Sequence, residues 1–208
     1  MNKKEKSDDL KNLVIVIAII VLISFAFGVF IKRMSAPKIE KEYSNGFTLT
    51  KVGKFWYTTI KNSQSLQEYD VDFRYSPSQV NEVGVIGNPK SFFNLMKQND
   101  LNAAYITFNF RENVTSAYAL AAADISKFTK LVNGVTLVAA CTENITDVCS
   151  TRPIVTCENQ EDKALVIFVK DSVNPKISMV KNCLTVEGRN EELVQSYTKL
   201  LFLWYGII

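Results

Sequence analysis

The sequence predicts an α/β fold, a mixed sheet with a βαβ unit and an N-terminal antiparallel meander, preceded by one transmembrane helix. Three observations lead to this prediction: an uncharged apolar run at 13–31, alternating apolar and polar runs within 47–75, and a strand, a helix and a strand in close succession within 104–141. Alternation is typical of half-buried strands, and closely spaced strand–helix–strand units pair their strands in parallel.

The apolar run 13–31 reads LVIVIAIIVLISFAFGVFI and contains no charged residue. As a helix it would extend about 28 Å, close to the thickness of the hydrocarbon core of a bilayer. A secretory signal peptide has a shorter apolar region and a small-residue cleavage site, whereas this run ends in Lys32-Arg33 and is followed by Pro37. We therefore expect a retained anchor through which the chain contacts the lipid bilayer, followed by a juxtamembrane linker at 32–44.

The orientation of the anchor is not decided by its flanks, because four lysines precede the run and four lysines or arginines follow it closely. The folded part contains an even number of cysteines and two Asn-x-Thr glycosylation acceptors, Asn113 and Asn144. Both features are typical of proteins outside the cytoplasm. We expect a cell-membrane protein with a cytoplasmic tail at 1–12 and an extracytoplasmic α/β domain at 45–208.

The charge of the predicted domain is balanced. Six of the 24 lysines and arginines and three of the 21 acidic residues lie before residue 36, which leaves 18 of each sign. A balanced domain lacks the basic footprint that phosphate backbones require. Nucleic acid is therefore not expected as a partner.

The first half of the domain predicts the meander, with strands at 47–52, 54–60 and 68–75. Its third strand alternates large apolar or aromatic residues with charged ones, which predicts one buried and one wet face. The apolar set is Tyr69, Val71, Phe73 and Tyr75, and the charged set is Asp70, Asp72 and Arg74.

The second half begins with a short predicted helix at 90–98, followed by the βαβ unit: a strand at 104–110, a helix that Thr115 or Ser116 can cap, and a strand at 135–141. Further strands are predicted at 164–170 and 177–188. A final helix, with Asn190 as its N-cap, presents an apolar face against the core. That face consists of Leu193, Tyr197, Leu200, Leu201 and Trp204.

The four cysteines predict two disulfides. Cys141, Cys149, Cys157 and Cys183 are separated by 8, 8 and 26 residues, and the chain contains no histidine. Zinc sites usually have closer cysteine pairs, and thioredoxin-type chemistry needs C-x-x-C. Three pairings remain open, and we favour Cys141 with Cys149, closing a local loop, and Cys157 with Cys183, joining two neighbouring strands.

The absence of histidine excludes Ser-His-Asp and Cys-His catalysis. Asp70 and Asp72 lie on one strand face and could hold a cation or share acid–base work, although any wet strand face explains them as well. A loop calcium site could use acidic oxygens, but no EF-hand spacing is present and ordinary surface loops are the simpler interpretation. The acidic residues concerned are Glu143, Asp147, Glu158, Glu161 and Asp162.

Two further segments have a functional and a structural interpretation. Gly84, Gly87 and Asn88 precede a short helix and could approach a phosphate, but no nucleotide-binding motif surrounds them, and a turn explains them more simply. The C-terminal LLFLWYGII could touch a membrane, yet it is too short to span one and fits a core-packed helix better. We therefore predict no catalytic, cofactor-binding or metal-binding residue, and no cofactor.

The layout of the C-terminal half resembles that of one group of proteins. The stretch CTENITDVCSTRPIVTC (141–157), the pair Asn182-Cys183 and the terminal WYGI (204–207) resemble uncharacterised archaeal proteins that have a single N-terminal membrane helix. The resemblance covers most of 45–208. It implies an archaeal envelope setting, no particular activity and no functional residue.

These observations together predict a membrane-anchored extracytoplasmic domain that binds or scaffolds at the cell envelope, with an envelope protein or a glycan as its partner. The alternative is an envelope hydrolase that uses carboxylates, which requires two acids about 5 to 10 Å apart in a pocket, at least one with a raised pKa.

Overall fold

The computed structural model of the chain describes residues 17–27, 39–62, 65–98, 103–111, 115–158 and 164–208. The chain divides into two compact units, Met1–Ile39 and Glu40–Ile208. In the first unit, residues 17–27 form a helix with exposed side chains. Within the described ranges, no helix combines the length and the apolar content that crossing a bilayer requires. The predicted tail at 1–12, both ends of the predicted span and residues 32–38 of the predicted linker lie outside the described residues, so the anchor stays a prediction.

The second unit begins with the predicted antiparallel meander, which is confirmed and has one strand more than expected. Its order is β1 (Lys41–Ser44), β2 (Phe47–Val52), β3 (Phe55–Lys61) and β4 (Glu68–Phe73). Strand β1 lies in the predicted linker, so the folded unit starts before residue 45. The reason is the Asn45-Gly46 pair, whose positive φ angles of 43° and 85° make it the turn of a β1–β2 hairpin and not the start of the domain.

The second sheet is mixed, as predicted, and runs in the order β5-β9-β10-β8-β6-β7. Strands β6, β7, β8 and β10 are mutually parallel, and β9 is antiparallel to β10. The bounds are β5 Gly84–Ile86, β6 Ala103–Phe108, β7 Thr136–Cys141, β8 Val166–Asp171, β9 Lys176–Val180 and β10 Cys183–Gly188. The predicted run at 177–188 is thus a hairpin, because the chain turns at Lys181, which has a φ of 51°.

Three helices accompany this sheet: α1 (Phe92–Gln98), α2 (Ser116–Asn133) and α3 (Glu191–Tyr205). Helix α2 completes the predicted βαβ unit between β6 and β7. The Thr115 hydroxyl caps α2 as predicted, since it accepts a hydrogen bond from the Ala117 amide at 3.3 Å. Asn190 occupies the N-cap position of α3, as predicted, but with a φ of 49° its side chain makes no capping hydrogen bond.

Helices α2 and α3 lie between the two sheets. Helix α3 packs on β10 and α2 packs on β7, while Phe73 of β4 contacts Phe128 of α2 and Phe202 of α3, with ring centroids 5.4 and 4.6 Å apart. The core-packed interpretation of the C-terminal segment is confirmed, because Leu200, Leu201 and Phe202 are wholly buried.

The step from β10 into α3 depends on Gly188. A Cβ atom at this position would lie 2.6 Å from the carbonyl carbon of Glu192, closer than unbonded atoms approach. We therefore expect Gly188→Ala to lower the free energy of unfolding by roughly 1 to 3 kcal/mol, measured by chemical denaturation of the full chain. Gly84→Ala is the control, since its Cβ would meet the Lys176 side chain at an ordinary 3.5 Å. Equal stability of the two variants would contradict this packing.

Candidate functional site

A cavity of about 420 Å³ opens at one end of the helix layer. It lies where the chain leaves β6 for α2 and leaves β10 for α3, at the carboxyl ends of parallel strands. The β2–β3 turn and the end of β4 close it from the meander side. Ligand sites in α/β proteins are frequent at such strand ends, and the volume lies within the range of small-molecule pockets.

Six side chains give the cavity its polar lining: Lys54, Arg74, Tyr75, Ser116, Asn190 and Glu191. They come from four separate segments of the chain. Lys54 belongs to the β2–β3 turn, while Arg74 and Tyr75 follow β4. Ser116 starts α2, and Asn190 and Glu191 start α3. The remaining wall is apolar and consists of Ala117, Leu120 and Val194.

Arg74 is an exposed side chain whose guanidinium lies over an aromatic ring, 5.3 Å from the centre of Phe55. Behind it is the hydroxyl of Tyr197, whose pKa the charge of Arg74 acts to lower. That hydroxyl donates to Asp124 of α2 at 2.8 Å. Burial, followed by the negative charge of Asp124, has the larger effect and raises the pKa of Tyr197. Because a guanidinium carries five N–H donors, Arg74 retains donors for a further partner.

The two cations of the cavity, Lys54 and Arg74, have no ion-pair partner among the described residues. Within the same part of the chain, the side chains of Ser116 and Asn190 make no hydrogen bond. The first turn of α2 contains no acidic residue, so its partial positive charge is not offset there. The first turn of α3 contains Glu191 and Glu192, which offset the partial positive charge at the start of that helix.

Tyr75 lies beside those acidic residues. Burial raises the pKa of the Tyr75 hydroxyl, and the negative charges of Glu191 and Glu192 raise it further, while Arg74 acts in the opposite direction. The phenol is therefore neutral at physiological pH and is available as a hydrogen-bond donor.

The two carboxylates considered from sequence do not join this cavity. Asp70 is exposed and accepts a hydrogen bond from Thr59 at 2.7 Å. Asp72 pairs with Lys127 of α2 at 3.4 Å. The predicted alternation of β4 is confirmed, since Val71 and Phe73 are buried on the opposite face. Both carboxylates therefore have ordinary neighbours on an accessible strand face.

The acidic residues considered for calcium are not gathered into a site where the structure describes them. Glu143 forms an ion pair with Arg111 at 2.7 Å. No group of three metal-ligating side chains occurs among the described residues. Glu161 and Asp162 lie outside those residues.

The glycines considered for a phosphate have a structural role. Gly84 opens β5, and Gly87 has a φ of 75° with its α-carbon packed against the backbone of Met179. Asn88 accepts a hydrogen bond from the Ser91 hydroxyl at 2.7 Å through its carbonyl. The following helix, α1, contains only 7 residues, so these residues form a turn and a packing contact.

The cysteines form two disulfides, Cys141–Cys149 and Cys157–Cys183, with Cα atoms 5.8 and 5.4 Å apart. The prediction of disulfide bonds therefore fits, and these pairs are the ones that the sequence favoured. Cys183 opens β10, but Cys157 lies in a turn and not in a strand as expected. Of the two glycosylation acceptors, Asn144 is exposed and Asn113 lies outside the described residues.

Comparisons with known proteins find no match: no family model, no curated protein and no solved structure corresponds to this chain. The resemblance to archaeal single-pass membrane proteins stays a prediction. The cavity residues therefore have to be interpreted from their own geometry.

Two tyrosines test the hydrogen bond between Tyr197 and Asp124. We expect Tyr197→Phe to lower the free energy of unfolding by about 1 to 2 kcal/mol, because Asp124 loses a hydrogen-bond donor. Tyr205 is the control: its buried hydroxyl has no hydrogen-bond partner within the described residues, so Tyr205→Phe should leave stability unchanged or raise it. Denaturant unfolding of both variants measures the difference, and a Tyr205→Phe variant as unstable as Tyr197→Phe would contradict the assignment.

Proposed function

We propose that this chain is a binding domain on the outer side of a cell membrane, held there by a membrane-spanning helix at 13–31. The single observation that carries the proposal is that all four cysteines are paired and none is free. Disulfides persist in oxidising compartments and are rare in the reducing cytosol. The uncharged length of 13–31 supports the anchor.

The position of the disulfides supports a structural and not a redox role. Cys141 ends β7, and its backbone already pairs with Pro153 and Val155 of the following loop. The Cys157–Cys183 bond then joins the far end of that loop to β10. Each bond restrains the unfolded chain and is worth roughly 2 to 4 kcal/mol. The bonds thus fasten a long loop to the sheet that carries the cavity.

Binding is favoured over catalysis by the character of the cavity. Its polar groups are two cations, a neutral phenol, a hydroxyl, an amide and one carboxylate, a set that suits recognition of a ligand. A carboxylate-dependent hydrolase needs two convergent acids, and the cavity has one, Glu191. Nothing in the described residues favours the hydrolase, and we do not propose it.

Thiol labelling with a membrane-impermeant maleimide tests this function. In intact cells we expect no labelling of the natural chain until a reductant is added, because the cysteines are external and bonded. A Lys97→Cys variant, with its thiol on the exposed face of α1, should label in intact cells without reductant. A Ser7→Cys variant, in the predicted cytoplasmic tail, should label only after lysis.

The two added thiols also show which labelling pattern would contradict the proposed orientation. Labelling of Ser7→Cys in intact cells, with Lys97→Cys protected until lysis, would place the domain in the cytoplasm and overturn the proposal. Recovery of all variants in the soluble fraction would contradict the membrane anchor but not the disulfide-bonded binding domain.

A further inference from the structure

We propose that the cavity between the meander and the starts of α2 and α3 binds a small organic acid, a carboxylate on an apolar body, with Arg74 and Lys54 as its anion-recognition groups. This inference rests on the proposed function as a binding domain and assigns that domain its site and ligand class.

The preference for an anion follows from the groups that lack a partner. Lys54 and Arg74 face the cavity without an ion pair among the described residues. The Ser116 hydroxyl lines the same cavity and makes no intramolecular hydrogen bond in that part of the chain. Hydrogen bonds from guanidinium and ammonium groups to a carboxylate are stronger than hydrogen bonds between neutral groups. A carboxylate would supply the hydrogen-bond acceptor that these groups lack.

Arg74 is suited to this role by its contact with an aromatic ring. Its guanidinium lies 5.3 Å from the centre of the Phe55 ring. A guanidinium that stacks on a ring keeps its N–H donors in one plane and can offer two of them to a carboxylate.

The apolar wall and the single acidic residue of the cavity further restrict the class of ligand that fits. Ala117, Leu120 and Val194 offer a hydrocarbon surface beside the cations, which an inorganic ion would leave unused. Glu191 adds one negative charge, so the formal lining charge is +1 and matches a monoanion. The opposing carboxylate disfavours ligands with a second or third negative charge.

The test is a calorimetric titration of the purified full chain with acetate, hexanoate and benzoate, each beside its primary amide, and with inorganic phosphate. We expect saturable binding of hexanoate or benzoate, with the matching amide weaker by about tenfold or more. Arg74→Gln and Lys54→Gln should each weaken the acid by a similar factor. Lys97→Gln removes the same charge from an exposed position on α1 and should change the affinity less than twofold.

The outcomes separate this inference from the function on which it rests. Equal binding of acid and amide, or binding of phosphate alone, would overturn the organic-acid assignment while leaving a ligand site in the domain. No binding of any probe would overturn the assignment, and thiol labelling would decide the envelope location independently. Equal loss in Arg74→Gln and Lys97→Gln, with both variants folded by circular dichroism, would show that Arg74 does not contact the ligand.

Discussion

The burial of helix α3 between two sheets is the constraint on which the rest of the structure depends. After its first turn, most of its side chains are buried, including the polar Ser196 and Thr198. Such a helix has almost no face left for solvent. The contact of Phe73 with both Phe128 and Phe202 joins the meander to the helix pair. Interiors of this kind are close-packed, so the helices cannot shift without opening the core.

This packing fixes the cavity, because both long helices begin at its edge. Ser196, within the buried part of α3, donates to the carbonyl of Glu187 at 2.7 Å and ties the helix to β10. At the same end, Arg189 bonds Asp171 at 3.1 Å, and that bond holds the pKa of the Asp171 carboxyl below its usual value. The start of α3 is therefore secured to the two parallel strands β8 and β10.

The sequence predicted the parts of the fold that follow from periodicity. Alternation in β4, the apolar spacing of α2 and α3, and the Thr115 cap are local patterns that tertiary structure left unchanged. Strand β1 was missed because it is short and charged and is defined only by its pairing with β2. Asn190 takes the predicted N-cap position, but its positive φ accompanies the loss of the side-chain bond that a cap usually makes, and local sequence does not predict that conformation.

The candidate site was much less predictable than the fold. Arg74 was assigned only to a wet strand face, and Lys54 to a strand, since a single charged residue carries no signal of its own. Their presence in one cavity with Ser116 depends on how the two sheets and the helices pack, which no local pattern encodes. The available signal was the pair of strand-to-helix turns after β6 and β10, because parallel strands bring such turns to one edge.

Hydrogen exchange of the full chain tests most directly whether the buried helix pair holds the structure together. If it does, the amides of Phe128, Leu200 and Phe202 exchange only through global unfolding, and their exchange free energies equal the free energy of unfolding from denaturation. If these amides exchange with a lower free energy than the global one, and faster than the amides of β3, the claim that the buried helix pair holds the structure together is contradicted. In that case the helices would not be the element that fixes the cavity.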